Sequence, residues 1–277
     1  MAKAKKKKAS KIITATTKRV LIISDLHCGH EHGLTHEDFD YLPSHNAAER
    51  RAKSAKARKV LRQFFYEQVK PLAPFDVVVA NGDLIDGRGE RAGGQDLIFI
   101  DRQDQVDCAI AILKDLNASK YVITSGTPYH SGTMEQWERD IAFAVSAEFS
   151  NHIFFPVNDL VFDCKHKVSR SSVPHSRHTS VAKERMLNVI DAADDRQPKS
   201  DVTIRSHIHL FNYCGGPGWL AMTTPSLQGA TTYGEGQVSG SVDFGFLVFD
   251  VKSRMDYTWK ASLCESSVLR PQLVHLW

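Results

Sequence analysis

The stretch that decides the fold is residues 20–27, which read Val-Leu-Ile-Ile-Ser-Asp-Leu-His. Its run of apolar residues predicts a short buried strand. Asp25 and His27 follow that strand at once, and alternate residues of an extended segment point the same way. We therefore expect a carboxylate and an imidazole to face one site at the carboxyl end of this strand.

The segments that follow alternate between strand and helix. Apolar runs at residues 77–80 and 121–124 predict two further buried strands. Helical patterns lie between and after the strands, at residues 47–69, 101–116 and 134–149. This order predicts an α/β sheet of parallel strands whose crossover helices cover both faces.

The later part of the chain has a different pattern, because strands dominate it. One helix is predicted at residues 180–192, among six strand-like segments at 151–155, 160–164, 202–206, 219–223, 244–251 and 255–261. We expect a second, mixed sheet packed against the first. With no internal repeat and no long linker, residues 20–277 are predicted to form a single domain.

Asp or His residues follow five of the predicted strands, where functional groups of a parallel sheet collect. They are Asp25 with His27, Asp83, His130, His166, and His207 with His209. These side chains are ligands for divalent metals such as Mn, Fe, Zn or Ni. Each motif alone also has a structural explanation, since Gly-Asp is a common turn signal. Their joint occurrence, in order and at strand ends, indicates a metal site.

Taken together, these motifs resemble those of the calcineurin-like metallophosphoesterases, over roughly residues 20 to 210. The matched elements are Asp25-x-His27, Gly82-Asp83, a Gly…His element at 126–130, His166 and His207-x-His209. Gly-Thr-Pro-Tyr-His at 126–130 and Phe-Asp-x-x-His at 162–166 look most like phage- and prophage-encoded members. The resemblance implies a four-layer α/β/β/α sandwich around two divalent metal ions, with manganese expected and Fe, Zn, Ni or Mg as alternatives.

The resemblance also implies roles for single residues. One metal ion would be held by Asp25, His27 and His209. The second would be held by His166 and His207, with Asp83 bridging both. Such a pair can hold a water molecule and lower its pKa, which activates it for attack on phosphorus.

The chain departs from the family at its Gly-Asn-His motif. Thr127 stands where the family has Asn, and a hydroxyl is a poorer metal ligand than an amide carbonyl. His130 comes two residues late and is assigned as the catalytic histidine, which protonates the leaving oxygen or stabilises the phosphoryl oxygens. Ser206 replaces the usual Gly before His-x-His.

Substrate contacts are expected in the loop that follows His166, because Arg pairs well with phosphate. The candidates for substrate binding are Thr127, Arg170, His175 and Arg177. Three histidines after the first strand are either solvated or line the substrate entrance: His30, His32 and His36.

Composition excludes several classes of protein. The 277 residues are 42% hydrophobic and 24% charged with a net charge of +3, which argues against disordered and membrane-spanning chains. Five scattered cysteines without a Cys-x-x-Cys pair argue against a disulfide framework or a thiolate zinc site. With the resemblance, this indicates the cytoplasm of a bacterial or phage-infected cell, and no membrane contact is expected.

The basic residues are distributed unevenly. Residues 1–19 contain seven Lys and one Arg but no acidic residue, so we expect a disordered basic tail. Such a tail is either solvated or contacts the phosphate backbone of DNA or RNA.

Three functions follow from these patterns. The first is a phosphodiesterase that acts on nucleic acid or nucleotides, as the metal motifs and the basic tail indicate. The second is a phosphomonoesterase acting on a nucleotide or phosphoprotein, which the Gly-Asp-Leu-Ile-Asp-Gly-Arg wording of residues 82–88 favours, although the Arg is displaced by one position. The third is an inactive scaffold of the same fold, which Thr127 alone favours.

Overall fold

The computed structural model describes residues 16–40, 49–90, 93–132, 136–171, 173, 176–231 and 242–266. In these ranges the strands are β1 (Lys18–Ile23), β2 (Val77–Asn81), β3 (Lys120–Thr124), β4 (Glu148–Ser150), β5 (His152–Val157), β6 (Leu160–Lys165), β7 (Val202–Arg205), β8 (Asn212–Gly216), β9 (Trp219–Thr223), β10 (Gly245–Ser253) and β11 (Asp256–Leu263). The helices are α1 (Glu49–Val69), α2 (Arg102–Asp115), α3 (Pro128–Ser131), α4 (Trp137–Ala144) and α5 (Thr179–Ala193), with short 3-10 turns at Glu37–Phe39 and Lys70–Leu72.

The strands form two mixed sheets. The first has the order β11-β10-β1-β2-β3-β4, in which β1 to β4 are parallel while β10 runs antiparallel to β1 and β11. The second has the order β5-β6-β7-β9-β8, in which β6, β7 and β9 are parallel and both edge strands are antiparallel. The carboxyl ends of β1, β2, β6 and β7 are the ends that precede the predicted ligands.

Alternation along β1 divides the core between the two faces of the first sheet. Val20 and Ile22 pack between the sheets with residues of the second sheet such as Phe162. Leu21 and Ile23 point the other way, into a cluster that includes side chains of α1, α2 and α4. On the far side, α5 packs against β7, β8 and β9. These four layers are the predicted fold.

Two sequence predictions about the ends of elements are wrong. The helix expected at 134–149 ends at Ala144, and Ser146 adopts a φ of 54°, which interrupts the helical path before β4 begins. The basic tail was expected to extend to residue 19, yet Lys18 and Arg19 belong to β1. Their charges are held by ion pairs of 2.7 Å to Asp76 and Asp250. Residues 1–15 of the predicted tail lie outside the described residues, and the single-domain assignment stays a prediction.

In the described ranges, no helix combines the length and the apolar character that crossing a lipid bilayer requires.

A buried charge network joins β6, β7 and α5. Both terminal nitrogens of Arg205 donate to the carboxylate of Asp163, at 2.8 and 3.1 Å, and its Nε donates to Glu184 at 2.9 Å. His152 contacts Asp163 at 2.7 Å, and Lys165 contacts Glu184 at 2.8 Å. Because β6 and β7 lead directly into His166 and His207, the network fixes the strands that carry these side chains.

The network should make folding stability fall in acid. Burial raises the pKa of Asp163, but His152 and Arg205 outweigh burial, so the pKa is lowered overall. Burial also raises the pKa of Glu184, and there Lys165 and Arg205 lower the pKa overall. A carboxyl whose folded pKa is depressed stabilises the fold above its unfolded pKa, and that stability is lost as pH falls through the folded value.

We therefore expect the free energy of unfolding to decrease when the pH is lowered below about 4, which is the usual pKa of carboxyl groups in the unfolded chain. Urea unfolding at pH 7 and in acid measures the loss. Asp163→Asn should show a smaller loss, since the amide takes up no proton; an equal loss in both proteins would contradict this origin.

Candidate metal centre

The structure brings together all six residues that the sequence predicts as metal ligands. They form two groups that could each hold a metal ion: Asp25, His27 and His209, and Asp83, His166 and His207. Within each group the ligand atoms lie within 4.8 Å of one another. Four strands deliver these side chains, since β1, β2, β6 and β7 each end next to a ligand.

The two groups are in direct contact. His166 Nε2 lies 2.9 Å from Asp83 Oδ2 and 3.9 Å from Asp25 Oδ1, so one imidazole touches a carboxylate of each group. Asp25 Oδ1 is 3.2 Å from His209 Nε2. A third group consists of His27, Asp83 and His130 within the same 4.8 Å limit, which places Asp83 next to ligands of both groups.

The backbone at the centre is unusual. Five of the six residues have a positive φ, between 47° and 76°: Asp25, His27, Asp83, His207 and His209. Non-glycine residues rarely adopt this region, and each instance costs on the order of 1–3 kcal/mol. Hydrogen bonds between the loops after β1 and β2 maintain it, from Asp25 N to Gly82 O at 3.0 Å and from His27 N to Asp83 O at 3.1 Å. Such strain concentrates at functional sites.

The protonation of three imidazoles is fixed by their neighbours. His166 Nδ1 lies 2.7 Å from the carbonyl oxygen of Asn81, and His130 Nδ1 lies 2.8 Å from that of Asp86. A carbonyl only accepts, so each Nδ1 carries the proton. His27 Nδ1 donates to the Asp86 carboxylate at 3.0 Å. When one of these rings is neutral, its lone pair therefore lies on Nε2, the arrangement that outer partners give to metal-binding histidines.

Three buried atoms of the centre have no hydrogen-bond partner among the residues that the structure describes: Asp25 Oδ1, His27 Nε2 and His166 Nε2. Contacts of His166 and His209 with the carboxylates are close but lack hydrogen-bond geometry. Buried polar atoms are normally paired, because leaving one unpaired costs free energy. Imidazole nitrogen and carboxylate oxygen both suit a divalent cation. The donor atoms present therefore fit a metal ion.

Both carboxylates of the centre are ionised at neutral pH. Burial raises the pKa of Asp25, but His209 and His166 outweigh burial and lower it to about 2. The pKa of Asp83 is held well below its usual value despite burial, with His166 the strongest influence. For His166, burial lowers the pKa while Asp83 and Asp25 raise it, to about 10 overall. The metal-free centre thus holds negative charge that a cation would neutralise.

The centre is partly open to solvent. Asp25, His27, Asp83 and His166 are buried, whereas the side chains of His207 and His209 are half-buried.

Thr127, the residue in the place of the family's Asn, supports Asp83. Its backbone N–H donates to Asp83 Oδ1 at 2.6 Å, and its hydroxyl donates to the same oxygen at 3.1 Å. Asp83 Oδ2 then faces His166. A contact between Thr127 and substrate stays a prediction.

His130, the expected catalytic histidine, lies within the cluster. Its ring packs edge-on against His27, with 4.5 Å between the ring centroids. The carbonyl of Asp86 fixes its Nδ1. The late position of His130 in the sequence is accommodated by α3, a single helical turn that the sequence analysis did not predict.

The other expected substrate residues are only partly tested. Arg170 lies close enough to Arg177 for the two charges to interact, and burial together with Arg177 lowers its pKa. His175 lies outside the described residues. The interpretation of His30 and His36 as solvated is wrong, since they are 7% and 8% exposed. His36 accepts a hydrogen bond from Asp38 N, and His30 accepts one from His32 N, so both organise their own loop.

Ser206 has a role that the sequence did not reveal. Its hydroxyl accepts hydrogen bonds from Asn81 Nδ2 at 2.6 Å and from Thr224 at 2.8 Å. Thr124 donates to Asn81 Oδ1, and Ser24 lies 2.6 Å from the hydroxyl of Thr224. This buried chain joins the carboxyl ends of strands in both sheets beneath the metal centre.

Two acidic residues near the centre were missed. Asp86, three residues after Asp83, contacts His27 Nδ1 through its carboxylate. Burial raises the pKa of Asp86, but His27, His30 and His130 outweigh burial and lower the pKa to about 2. The repeated Asp in residues 82–87 was an available signal. Glu138 is fully buried, and burial followed by repulsion from Asp83 raises its pKa to about 7. Nothing in the sequence around Glu138 marks it.

Comparison with known proteins yields matches at the level of structure. No protein-family model matches the chain, and no curated protein matches its sequence. Vacuolar protein sorting 29 from Cryptosporidium parvum is similar at 12% identity, covering 91% of this chain and 100% of that one, with a TM-score of 0.45. A novel archaeal phosphodiesterase is 13% identical over 88% of this chain and 99% of that one, with a TM-score of 0.43. A single mutant of Vps29 from Entamoeba histolytica is 12% identical over 89% and 99%, also with a TM-score of 0.43. TM-scores below 0.5 do not indicate an activity for this chain.

Proposed function

We propose that the chain is a phosphoester hydrolase dependent on two divalent metal ions, a member of the calcineurin-like metallophosphoesterases that resembles phage-encoded proteins. One observation carries the proposal. Two adjacent groups of nitrogen and oxygen donors meet at Asp83, and unpaired donor atoms of both point into one centre that is open to solvent. Paired metal sites of this kind are used in phosphoester hydrolysis.

Two bound cations would supply positive charge to the phosphoryl oxygens and lower the pKa of a water molecule. The protein's own residues supply orientation and proton transfer. Asp86 holds His27 through one carboxylate oxygen and His130 through its carbonyl. Because His130 Nδ1 is committed to that carbonyl, a protonated His130 ring would give its proton to the leaving oxygen from Nε2.

The proposed substrate is a phosphodiester in nucleic acid or a nucleotide. Arg170 and Arg177 follow His166 in the chain, and their proximity concentrates positive charge that suits a phosphate backbone. The lysines of residues 1–15 would add contacts that depend on salt.

A catalytically inactive scaffold is the second candidate. The Thr127 hydroxyl donates to Asp83, and in the described ranges the second group of His, Cys, Asp and Glu ligands consists of Asp83, His166 and His207. A weaker second metal site would reduce activity without altering the fold. The phosphomonoesterase alternative differs from the proposed phosphodiesterase in its substrate, because it would prefer a phosphate monoester to a diester.

Turnover of bis-p-nitrophenyl phosphate and p-nitrophenyl phosphate, after EDTA treatment and dialysis and again with Mn²⁺, tests the proposal. We expect the diester to be hydrolysed with Mn²⁺, little hydrolysis of the monoester, and loss of activity after EDTA that Mn²⁺ restores. Preference for the monoester would favour the phosphatase, and no turnover with Mn, Fe, Zn, Ni or Mg would favour the scaffold.

Cleavage of oligonucleotides at several salt concentrations tests the nucleic-acid part. The rate should fall as salt rises, and more steeply in the full chain than in a variant lacking residues 1–15. Lys18 and Arg19 must be retained, because they belong to β1. Equal salt slopes would show that the basic segment does not contact phosphate.

A further inference from the structure

Glu138 lies behind the metal centre, outside the ligand set. It occupies the first turn of α4 and its side chain is fully buried. A buried carboxylate is costly unless hydrogen bonds satisfy it. Here each oxygen accepts from a backbone N–H, Oε1 from Leu84 at 2.9 Å and Oε2 from Gly126 at 2.5 Å.

Both of these N–H groups lie next to residues that hold the centre together. Leu84 directly follows Asp83, and Gly126 directly precedes Thr127. Thr127 in turn donates twice to Asp83 Oδ1. One carboxylate therefore ties the loop after β2 to the loop after β3, on either side of the Thr127–Asp83 contact.

The two loops are packed without spare room at this point. A Cβ atom built on Gly126 would lie 2.1 Å from Asp83 Oδ1 and 2.3 Å from Asp83 N. Both distances are far inside van der Waals contact. A small shift of either loop would therefore move the carboxylate that lies next to ligands of both metal groups.

We propose that Glu138 is a positioning residue that fixes Asp83 and Thr127 by bridging the backbone amides of Leu84 and Gly126. The inference rests on the proposed metal-dependent function. On this inference, α4 contributes to the site because its Glu138 sets the orientation of the Asp83 carboxylate without being a ligand itself. Residues of this kind typically change metal affinity or activity about 10–100-fold when altered.

Glu138→Gln is the informative change, because it keeps the shape of the side chain but replaces one acceptor with a donor. The new amide N–H₂ would face a backbone N–H, so one bridge is lost. We expect Mn²⁺ to bind about 10–100-fold more weakly. The Mn²⁺ concentration needed for half-maximal activity should rise by a similar factor, while kcat at saturating Mn²⁺ recovers most of its native value.

Calorimetric titration of Mn²⁺ into the metal-depleted full chain measures the effect, and amide hydrogen exchange supplies a readout that needs no metal. Leu84 and Gly126 should exchange faster in Glu138→Gln. The matched control is Glu67→Gln, an exposed glutamate on α1 that accepts a hydrogen bond from Gln63, and it should leave Mn²⁺ affinity and the exchange of Leu84 and Gly126 unchanged. Glu138→Asp keeps the charge on a shorter side chain, so its Mn²⁺ affinity should lie between that of the native protein and that of Glu138→Gln. It replaces Glu138→Gln in the experiment if Glu138→Gln does not fold.

Native Mn²⁺ affinity in Glu138→Gln, or an equal loss of affinity in Glu67→Gln, would overturn the inference. If the native chain itself binds no Mn²⁺, the proposed function fails instead. The two failures are distinct, because only the second involves the unaltered protein.

Discussion

Asp83→Asn should lose metal from both groups and lower kcat/KM for a phosphodiester by at least about 10³-fold. Asp83 lies next to ligands of both groups, since it belongs to one with His166 and His207 and to another with His27 and His130. Asparagine has the same shape and can still accept from Thr127. The change therefore removes charge, and Asn has no second carboxylate oxygen to share between two cations.

Metal stoichiometry separates Asp83 from its neighbours. After equilibration with Mn²⁺ and removal of excess metal, elemental analysis should find two ions per native chain and fewer than one in Asp83→Asn. Asp25→Asn should retain one ion, because Asp25 belongs to the first group alone. Asp76→Asn, which affects contacts with Lys18 and with the backbone N–H of Arg19 at the amino end of β1, is the control and should retain both. Two tightly bound ions in Asp83→Asn would contradict the shared carboxylate.

The ligands could be predicted because their positions depend on local rules. A buried strand of four residues is visible in the sequence, and Asp25 and His27 follow it directly. The carboxyl ends of parallel strands meet at one edge of a sheet, so the sequence predicts that His166 and His207 lie near Asp25. The pattern of strands and helices also predicts two sheets, whereas the order of the four layers is what the family resemblance implies.

The supporting residues could not be predicted, since they act through contacts between distant segments. Glu138 reaches the loops after β2 and β3 from α4, and no spacing rule connects it to Leu84. Ser206 looked like a minor replacement for Gly until its hydroxyl was seen between Asn81 and Thr224. Thr127 is predicted from the sequence to contact substrate, and the support that its hydroxyl gives to the ligand Asp83 has no signal in the sequence.

The predictions of where strands and helices end were wrong for a related reason, because tertiary contacts override the local sequence pattern. The segment after Ala144 has apolar residues at helical spacing, but Phe149 pairs in β4 beside β3. Arg19 looked like part of a basic tail, but its guanidinium donates to Asp250 and to the carbonyl of Leu72. Neither partner is close in the sequence.

Arg205→Met should destabilise the fold more than any surface change. Arg205 is 2% exposed and makes a two-pronged contact with Asp163, which is completely buried. Removing one partner of a buried ion pair leaves an uncompensated charge and typically costs about 3–5 kcal/mol. For a chain of this size, that corresponds to a fall in Tm of roughly 6–20 °C. Urea and thermal unfolding of the metal-depleted proteins measure it without contributions from bound cations.

Two further variants identify the unpaired charge as the cause. Arg196→Met removes an exposed pair with Asp191 and Asp194 and should cost no more than about 1 kcal/mol. Adding Asp163→Asn to Arg205→Met should recover part of the loss, because the carboxylate left in the interior is neutralised. The alternative outcome is that the losses in the free energy of unfolding from Arg205→Met and Asp163→Asn simply add in the double variant. The two residues would then act independently, and the packing of the long Arg205 side chain would account for the effect. Recovery would show that charge compensation by Arg205 holds β6 and β7 in register, and with them the approach of His166 and His207 to the metal centre.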